Sequence, residues 1–230
     1  MEDIFDSSGP KLLEGIVDWK NADHRRSVTA SLVQGVYVLE TDRQRKMTIS
    51  KNPINYAQPW WVSFNFQLHK YLTKDDGCIF GAIYEYINGK CPAPADSNVP
   101  RYVIAFRGTL ILRLRDLKLN LKFFINELKE SHRSQLAMRC VENSVDSNGS
   151  SNVWLAGHSM GSAIALIVGR NMMLKKNCSL EAYLFNPPYA SLHMENFCTS
   201  MDEDVKHLVR TVRGIIKKAL AISVEARINP

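Results

Sequence analysis

The sequence predicts an α/β fold in which a mostly parallel sheet is flanked by helices, and three observations lead to this prediction. First, an apolar segment that starts at Val153 is followed by a helical pattern from Met160 to about Lys176, and then by a second apolar segment at 182–185. A strand, a helix and a strand at this spacing form a βαβ unit, whose two strands run parallel. Second, the apolar segment 102–106 supplies another strand. Third, amphipathic helical patterns elsewhere supply helices that can cover the sheet.

The composition is that of a globular protein with one domain of ordinary size. The chain has 230 residues, of which 45% are hydrophobic and 23% charged, and a chain of this length buries a continuous core. Its formal charge of +6 favours contact with anionic surfaces, including membrane headgroups. The basic residues are spread along the chain, without a zinc-finger spacing or a dense arginine arm, so no nucleic-acid partner is expected.

The thiols and the first residues predict a cytoplasmic protein. The cysteines are odd in number and scattered, without a C-x-x-C pair, so they are expected to be reduced thiols. Residues 1–6 are acidic and lack an apolar core, which excludes a secretory signal there. The longest apolar run, 163–168, is too short to span a bilayer. The five cysteines are Cys78, Cys91, Cys140, Cys178 and Cys198.

The N-terminal part predicts a lead-in followed by an amphipathic helix. Residues 1–26 are expected to be loosely ordered, and residues 27–230 to form the domain. A helix from Ser27 to about Gln44 is predicted because apolar residues recur at helical spacing, and Asp23 or Ser27 can cap its start. The recurring apolar residues are Val28, Leu32, Val36 and Leu39.

The middle of the chain predicts a loop and a hairpin. Residues 48–60 carry two prolines and lead into the pair Trp60-Trp61, which is expected to be a hydrophobic plug. Residues 78–86 predict a strand that is followed by an Asn-Gly turn signal at 88–89. Together with the strand at 102–106 they indicate a hairpin.

The remaining segments predict two more helices and a loop. Residues 113–142 have a helical pattern with one apolar stripe that is expected to face the core, and residues 146–152 predict a loop. Residues 205–216 predict an amphipathic helix with a basic opposite face, and the apolar patch 219–224 closes that helix or starts a strand. Because the chain then ends within an unfinished sheet, it is expected to be truncated at the C-terminus.

The residues Gly157-His158-Ser159-Met160-Gly161 stand between the predicted strand and the predicted helix. This arrangement is typical of a nucleophile elbow, G-x-S-x-G, of the α/β-hydrolase type. The two glycines remove the Cβ atoms that would clash in so tight a turn. Ser159 Oγ is therefore expected to stand above the sheet as a nucleophile.

Acyl transfer by a serine also needs donors for the oxyanion that forms on the attacked carbonyl. In a nucleophile elbow one donor is the backbone N–H of the residue after the serine, which is Met160. The second comes from a loop after an earlier strand, where this sequence has Phe106-Arg107-Gly108-Thr109. Thr109 is the candidate because it offers both a backbone N–H and a hydroxyl. No metal or cofactor is implied by this chemistry.

Phe-Arg-Gly-Thr after a strand, Gly-His-Ser-Met-Gly about fifty residues later and then Phe-Asn-Pro-Pro resemble the class 3 (fungal-type) lipase family over residues 27–215. The sequence is most similar to a plant branch often labelled GDSL esterase/lipase, although it contains no Gly-Asp-Ser-Leu. The resemblance implies an α/β-hydrolase fold that hydrolyses carboxylic esters of lipids. It assigns Ser159 as nucleophile, with Thr109 and Met160 in the oxyanion hole. It also implies that His158 packs beneath the turn and is not the base.

The triad acid and base are not identified by the sequence. Their order in the family would be serine, acid and then histidine. Asp204 and His207 lie one helical turn apart and can bond to each other, but their helix would pack on the sheet flank. His193 lies nearer the correct edge but precedes any acid, and Glu225 is followed by no histidine.

Two explanations of this incomplete triad stay open: a truncated lipase, favoured by the unfinished sheet, or a family member without a working triad. The alternative function is accordingly a non-catalytic lipase-like module that binds a lipid or a partner protein. A third interpretation is a binder of anionic membranes or nucleic acid that uses the basic face of residues 206–217.

Overall fold

A computed structural model of the chain describes residue 13 and residues 17–48, 59–87, 98–108 and 131–187. The chain divides into two compact units, Met1–Ala190 and Ser191–Pro230, and every described residue lies in the first. The turn predicted at 88–89, the apolar stripe within 113–128 and the segments predicted after residue 187 lie outside the described residues.

The described strands form one five-stranded sheet whose spatial order is the order along the chain. The first three strands pair antiparallel, and the third, fourth and fifth pair parallel. The prediction of a mostly parallel sheet is therefore wrong for the described part, which is mixed, because short connections such as 74–78 join antiparallel neighbours. The predicted hairpin and βαβ unit are both confirmed. The strands are β1 (Phe66–Thr73), β2 (Ile79–Tyr86), β3 (Tyr102–Phe106), β4 (Val153–His158) and β5 (Glu181–Phe185).

Strand β1 was not predicted from the sequence. It buries Phe66 and Leu72 but exposes most of the side chains between them. Its register shifts between Leu68 and Lys70, so its apolar positions do not keep the simple alternation of a strand. The turn into β2 does carry a sequence signal, because Gly77 adopts a φ of 76° and its N–H donates to the Lys74 carbonyl.

Helix α1 (Ala22–Thr48) confirms the first predicted helix and extends it at both ends. Its apolar stripe is buried as predicted, with Val28, Leu32 and Val36 fully inaccessible. The predicted cap is wrong, since Asn21 Oδ1 accepts the hydrogen bond from the Asp23 N–H at 2.8 Å.

Helices α2 (His132–Asn148) and α3 (Met160–Lys176) cover the face of the sheet opposite to α1. The bounds of α3 agree with the prediction. Helix α2 continues past the predicted end because Val145 belongs to its buried stripe, so the predicted loop is wrong over 146–148. Gly149 then ends the helix at a φ of 82°.

Helices therefore lie on both faces of the sheet, and the strands alternate between two apolar cores. In β4, Val153 and Leu155 join the core under α2 and α3, while Trp154 and Ala156 join the core under α1. The pair Trp60-Trp61 belongs to the second core with at most 6% of its surface exposed, which confirms the predicted plug. None of the described helices has the length and apolar character needed to cross a membrane.

Candidate active site

Ser159 lies in the sharp turn where β4 ends and α3 begins. Its backbone has φ 51° and ψ −119°, a sparsely populated region for a residue with a Cβ atom. Hydrogen bonds on both sides hold this conformation: the Ser159 N–H donates to the Phe185 carbonyl at 2.9 Å, and the Ser159 carbonyl accepts from the Ser162 N–H at 3.0 Å. The half-buried serine thus sits above the ends of the parallel strands, at the start of a helix.

The glycines on either side of Ser159 are required by close backbone contacts. A Cβ atom on Gly157 would collide with the Gly161 carbonyl and lie 2.6 Å from the Ser162 nitrogen. A Cβ atom on Gly161 would collide with the Phe106 carbonyl and lie 2.8 Å from the Arg107 carbonyl oxygen. Both glycines therefore do what the elbow pattern predicts.

Ser162 supports the elbow from beneath and was not singled out by the sequence. Its fully buried hydroxyl lies 2.7 Å from the Gly157 carbonyl oxygen and 2.8 Å from the Phe185 carbonyl oxygen. It therefore links the end of β4, the end of β5 and the first turn of α3. The sequence did carry a signal for this role, namely a serine three residues after the nucleophile. A small hydroxyl side chain at that position of the helix can reach the ends of both β4 and β5.

The loop after β3 lies directly against Ser159. A Cβ atom on Gly108 would lie 3.0 Å from Ser159 Cβ and 3.1 Å from the His158 carbonyl oxygen. Thr109 itself lies outside the described residues, so its position relative to Ser159 is a prediction. Gly108, the residue before Thr109, lies against the nucleophile. An oxyanion donor supplied by this loop has to come from a segment this close to Ser159.

Met160 is the first residue of α3. The first N–H groups of a helix have no carbonyl partner within the helix, and the helix dipole makes this end favourable for negative charge. The Met160 side chain is 8% exposed and packs into the core beneath α3, with its sulfur 3.7 Å from Arg133 Nη1. In a nucleophile elbow the residue directly after the serine stands at this start of the helix.

Arg107 connects this loop to a buried carboxylate on α1. Its Nε donates to the Ile79 carbonyl at 2.6 Å and its Nη1 donates to the Gly108 carbonyl at 2.7 Å. Its Nη2 lies 3.9 Å from Glu40 Oε1, and both side chains are almost completely buried. Glu40 was not predicted from the sequence, although a glutamate directly after Leu39 of the apolar stripe was a signal for a buried ion pair.

Glu40 is ionised because its hydrogen bonds outweigh its burial. Burial alone would raise the pKa of the carboxyl group. Arg43 donates to it through two nitrogens at 2.7 and 2.8 Å, and the Ile79 N–H and Gln44 each donate at 2.8 Å. Together these donors lower the pKa of Glu40 to about 2. The network fixes α1 to the start of β2 and to the loop after β3.

His158 faces α1 rather than Ser159 Oγ. Its Nδ1 lies 2.8 Å from the Tyr37 hydroxyl, its Nε2 lies 3.5 Å from Asn186 Nδ2, and its ring packs edge-on against that of Tyr37. Burial lowers the pKa of His158, so the imidazole is neutral near physiological pH. The resemblance implied that His158 packs beneath the turn and is not the base; the structure places its ring against Tyr37 of α1.

No side chain within the described ranges hydrogen-bonds to Ser159 Oγ, and the candidates for an acid and a base lie elsewhere in the chain. Of the described histidines, only His158 contacts the elbow; His24, His69 and His132 lie at the start of α1, on β1 and at the start of α2. Within the same ranges no three His, Cys, Asp or Glu side chains converge as a metal site would require. The weaker sequence candidates, His193, Asp204, His207 and Glu225, all lie outside the described residues.

The described geometry can present a serine hydroxyl at a helix N-terminus, beside a second backbone loop. The serine is strained, its two glycines have no room for a side chain, and a strand-end loop lies beside it. Together these features favour acyl transfer over the other chemistries of a half-buried serine. They do not by themselves supply a proton acceptor.

Comparison with known proteins agrees with this geometry. The family model described as lipase (class 3) matches residues 103–215, which contain both the loop after β3 and the elbow. The chain is also 38% identical over 235 residues to a GDSL esterase/lipase of Arabidopsis thaliana. That alignment covers 97% of this chain but only 64% of the length of the relative. No solved structure matches the chain.

Proposed function

This chain belongs to a class 3 lipase-like family, and we propose that it is a serine hydrolase that cleaves carboxylic esters of lipids. The observation that carries the proposal is the conformation of Ser159, whose positive φ is held by hydrogen bonds between β4, β5 and α3. Strain of this kind is retained where a side chain has to be presented in one direction.

In the proposed reaction Ser159 Oγ attacks the ester carbonyl carbon. A base takes the serine proton, the carbonyl oxygen becomes an oxyanion, and the alcohol leaves with a proton to give an acyl-enzyme. Water then hydrolyses the acyl-enzyme and releases the carboxylic acid. Each step needs only side chains and backbone groups.

The oxyanion is proposed to be held by the Met160 N–H and by Thr109. The position of Met160 at the start of α3 supports the first assignment. The approach of Gly108 to Ser159 supports the second, because Thr109 is the next residue along that loop.

The candidates for the base within this chain are His193 and His207, which lie outside the described residues. Four of the six histidines lie in the described part, and none of those four bonds to Ser159 Oγ. Replacement of each of these two histidines by alanine in a folded protein tests them, since the loss of a general base lowers kcat by about 10²–10⁴-fold.

A fluorophosphonate probe tests the nucleophile, because it forms a covalent bond only with an activated serine. We expect labelling of the unaltered chain and of Ser151→Ala, which removes an exposed serine near the start of β4, and no labelling of Ser159→Ala. Hydrolysis of p-nitrophenyl esters of increasing acyl length, measured on the same three proteins, would then define the substrate class.

A failure to label Ser159 in the folded, unaltered chain would reject the enzyme and favour the non-catalytic module that binds a lipid or a partner protein. The absence of a described partner for Ser159 Oγ is the observation that keeps this alternative in the test. Labelling that is equal in Ser159→Ala would show that another serine reacts.

We also propose a cytoplasmic location and peripheral contact with lipid surfaces. The free thiols of Cys78, Cys140 and Cys178 in the described part support a reducing compartment. The formal charge of +6 supports attraction to anionic headgroups. Fluorescence microscopy of the tagged chain tests the location.

A further inference from the structure

The Tyr37 hydroxyl lies at the junction of α1, the loop after β3 and the end of β4. It accepts a hydrogen bond from the Gly108 N–H at 2.7 Å and lies 2.8 Å from His158 Nδ1. The Tyr37 and His158 rings are in edge-to-face contact with centroids 5.8 Å apart. One side chain of α1 therefore contacts the residue before Thr109 and the residue before Ser159.

The packing around Gly108 makes this contact sensitive to small shifts. The position that a Cβ atom of Gly108 would take is 2.5 Å from Tyr37 Oη and 3.0 Å from Ser159 Cβ. Gly108 is thus enclosed between the hydroxyl and the nucleophile. The Tyr37 hydroxyl therefore limits where Gly108 can lie relative to Ser159.

The hydrogen-bond directions agree with a fixed bridge. Burial raises the pKa of Tyr37, so its hydroxyl keeps its proton. Because the Tyr37 oxygen accepts from Gly108, its O–H is available to the Nδ1 of a neutral His158. The Gly108 N–H is occupied by this bond, which leaves the following residue, Thr109, as the donor that the loop offers to an oxyanion.

We propose that Tyr37 is a positioning residue for ester hydrolysis, whose hydroxyl holds the loop after β3 against the Ser159 elbow and so fixes the second oxyanion donor. This inference rests on the proposed function of Ser159. In this proposal Tyr37 makes no direct contact with the ester. It acts through the placement of Gly108, and transition-state donors are effective only when they are placed in advance.

The variant Tyr37→Phe removes the hydroxyl and keeps the ring. We expect kcat for p-nitrophenyl butyrate to fall about tenfold, because the hydrogen bond that orients Gly108 is lost together with the one to His158. We expect KM to stay within about twofold, since the ester is bound by other groups. Circular dichroism and thermal unfolding on the same samples would establish that the variant is folded.

Tyr183→Phe is the matched control. The Tyr183 hydroxyl also bonds α1 to the sheet, through Arg25 Nε at 3.0 Å. Arg25 precedes Tyr37 by twelve residues, or about 18 Å along the helix. This variant should lose a comparable hydrogen bond between α1 and the sheet and keep its kcat.

The possible outcomes separate the inference from the function on which it rests. Turnover that depends on Ser159, with a kcat in Tyr37→Phe equal to that of the unaltered chain, would overturn only the role of Tyr37. An equal loss in Tyr37→Phe and Tyr183→Phe would also overturn it, because the effect would then be general loosening of α1. Absence of Ser159-dependent turnover in the unaltered chain would overturn both.

Discussion

At the scale of single residues, the backbone of Ser159 is the most constrained position of the described site. A residue with a Cβ atom in this region of φ and ψ is destabilised by about 1–3 kcal/mol, and glycine is not. The surrounding hydrogen bonds from Ser162 and to Phe185 offset that strain in the folded chain.

The strain at Ser159 predicts that a glycine variant is more stable than an alanine variant, which is the reverse of the usual order. At an ordinary site a protein with glycine is less stable than the same protein with alanine by about 0.4–1 kcal/mol, because glycine has more conformational freedom in the unfolded chain. We expect the reverse at Ser159, with Ser159→Gly more stable than Ser159→Ala by about 1 kcal/mol, because relief of the strain exceeds the entropic term. Urea unfolding of both variants measures the difference. A more stable alanine variant would mean that the turn is unstrained.

Gly161 and Gly169 lie on the same helix and should respond to alanine in opposite directions. A Cβ atom on Gly161 meets two carbonyl groups of the β3 end, whereas one on Gly169 lies 3.5 Å from Leu155 Cδ1, an ordinary contact. We expect Gly161→Ala to lower the free energy of unfolding by about 1–3 kcal/mol. Gly169→Ala should raise it by about 0.5–1 kcal/mol through helix propensity. Equal effects in denaturant titrations would contradict the packing described at the elbow.

The sequence predicted the residues of the elbow but not those that support it. Gly157, Ser159 and Gly161 are recognisable because a tight turn requires small residues at fixed spacing. Tyr37 and Glu40 lie more than sixty residues before Gly108 and Arg107, and a helical pattern identifies only which face of α1 is buried. Which polar side chain on that face meets the loop depends on the way in which α1 packs across the sheet.

At the scale of elements, α1 is joined to the sheet by the ionised carboxylate of Glu40. Glu40 and Arg107 are both nearly inaccessible, so removal of one charge leaves the other buried without compensation. We expect Glu40→Gln to lower the free energy of unfolding at pH 7 by about 2–3 kcal/mol. Chemical unfolding at neutral pH measures this loss.

The same variant has a defined pH dependence. The folded pKa of Glu40 is lowered to about 2, so its stabilising contribution is complete above the unfolded pKa of about 4.3 and is lost as the pH falls toward 2. The difference between the unaltered chain and Glu40→Gln should therefore shrink below about pH 4.5. Asp23→Asn, which alters an exposed ion pair on the same helix, should change stability by less than about 1 kcal/mol. A difference that stays constant down to pH 2 would mean that Glu40 is not ionised by this network.

The helices and strands that the sequence predicted well are those whose ends are marked by residues typical of turns and helix ends. Strand β4 ends at a glycine-rich turn, α3 ends in basic residues with Asn177 in a left-handed conformation, and β5 is followed by Asn-Pro-Pro. Strand β1 has a polar exposed face and a bulge, so its apolar pattern is broken. Residues 146–148 look like a polar loop, but they continue a helix whose last buried residue is Val145.

At the scale of the whole molecule, the positive charge predicts how the chain meets a lipid surface. With a formal charge of +6, its binding to vesicles that contain an anionic phospholipid should weaken at least about tenfold between about 20 and about 150 mM salt. Vesicles of a zwitterionic phospholipid alone are the control and should bind weakly at both concentrations. Sedimentation with the vesicles measures both. Binding to anionic vesicles that is insensitive to salt would show that apolar contacts dominate.

The α/β class and the presence of flanking helices followed from the sequence, because apolar runs and amphipathic patterns report burial directly. The mixed character of the sheet did not, since the direction of β1 depends on a turn and a bulge rather than on composition. The pairing of β3 with β4 joins residues about fifty positions apart in the chain and brings the two motifs side by side.

The location of Tyr37 and Glu40 on α1 has a consequence for dissecting the protein. A fragment cut to the limits of the lipase match, starting at residue 103, would retain both motifs and the whole elbow. It would also uncover the face of β3 and β4 on which α1 lies, including Val103, Ala105, Trp154 and Ala156. Such a fragment would also lack β1 and β2, and with them the partner strand of β3. It should aggregate, and the hydrolysis proposed for Ser159 should return only when α1, β1 and β2 are supplied again on the same chain.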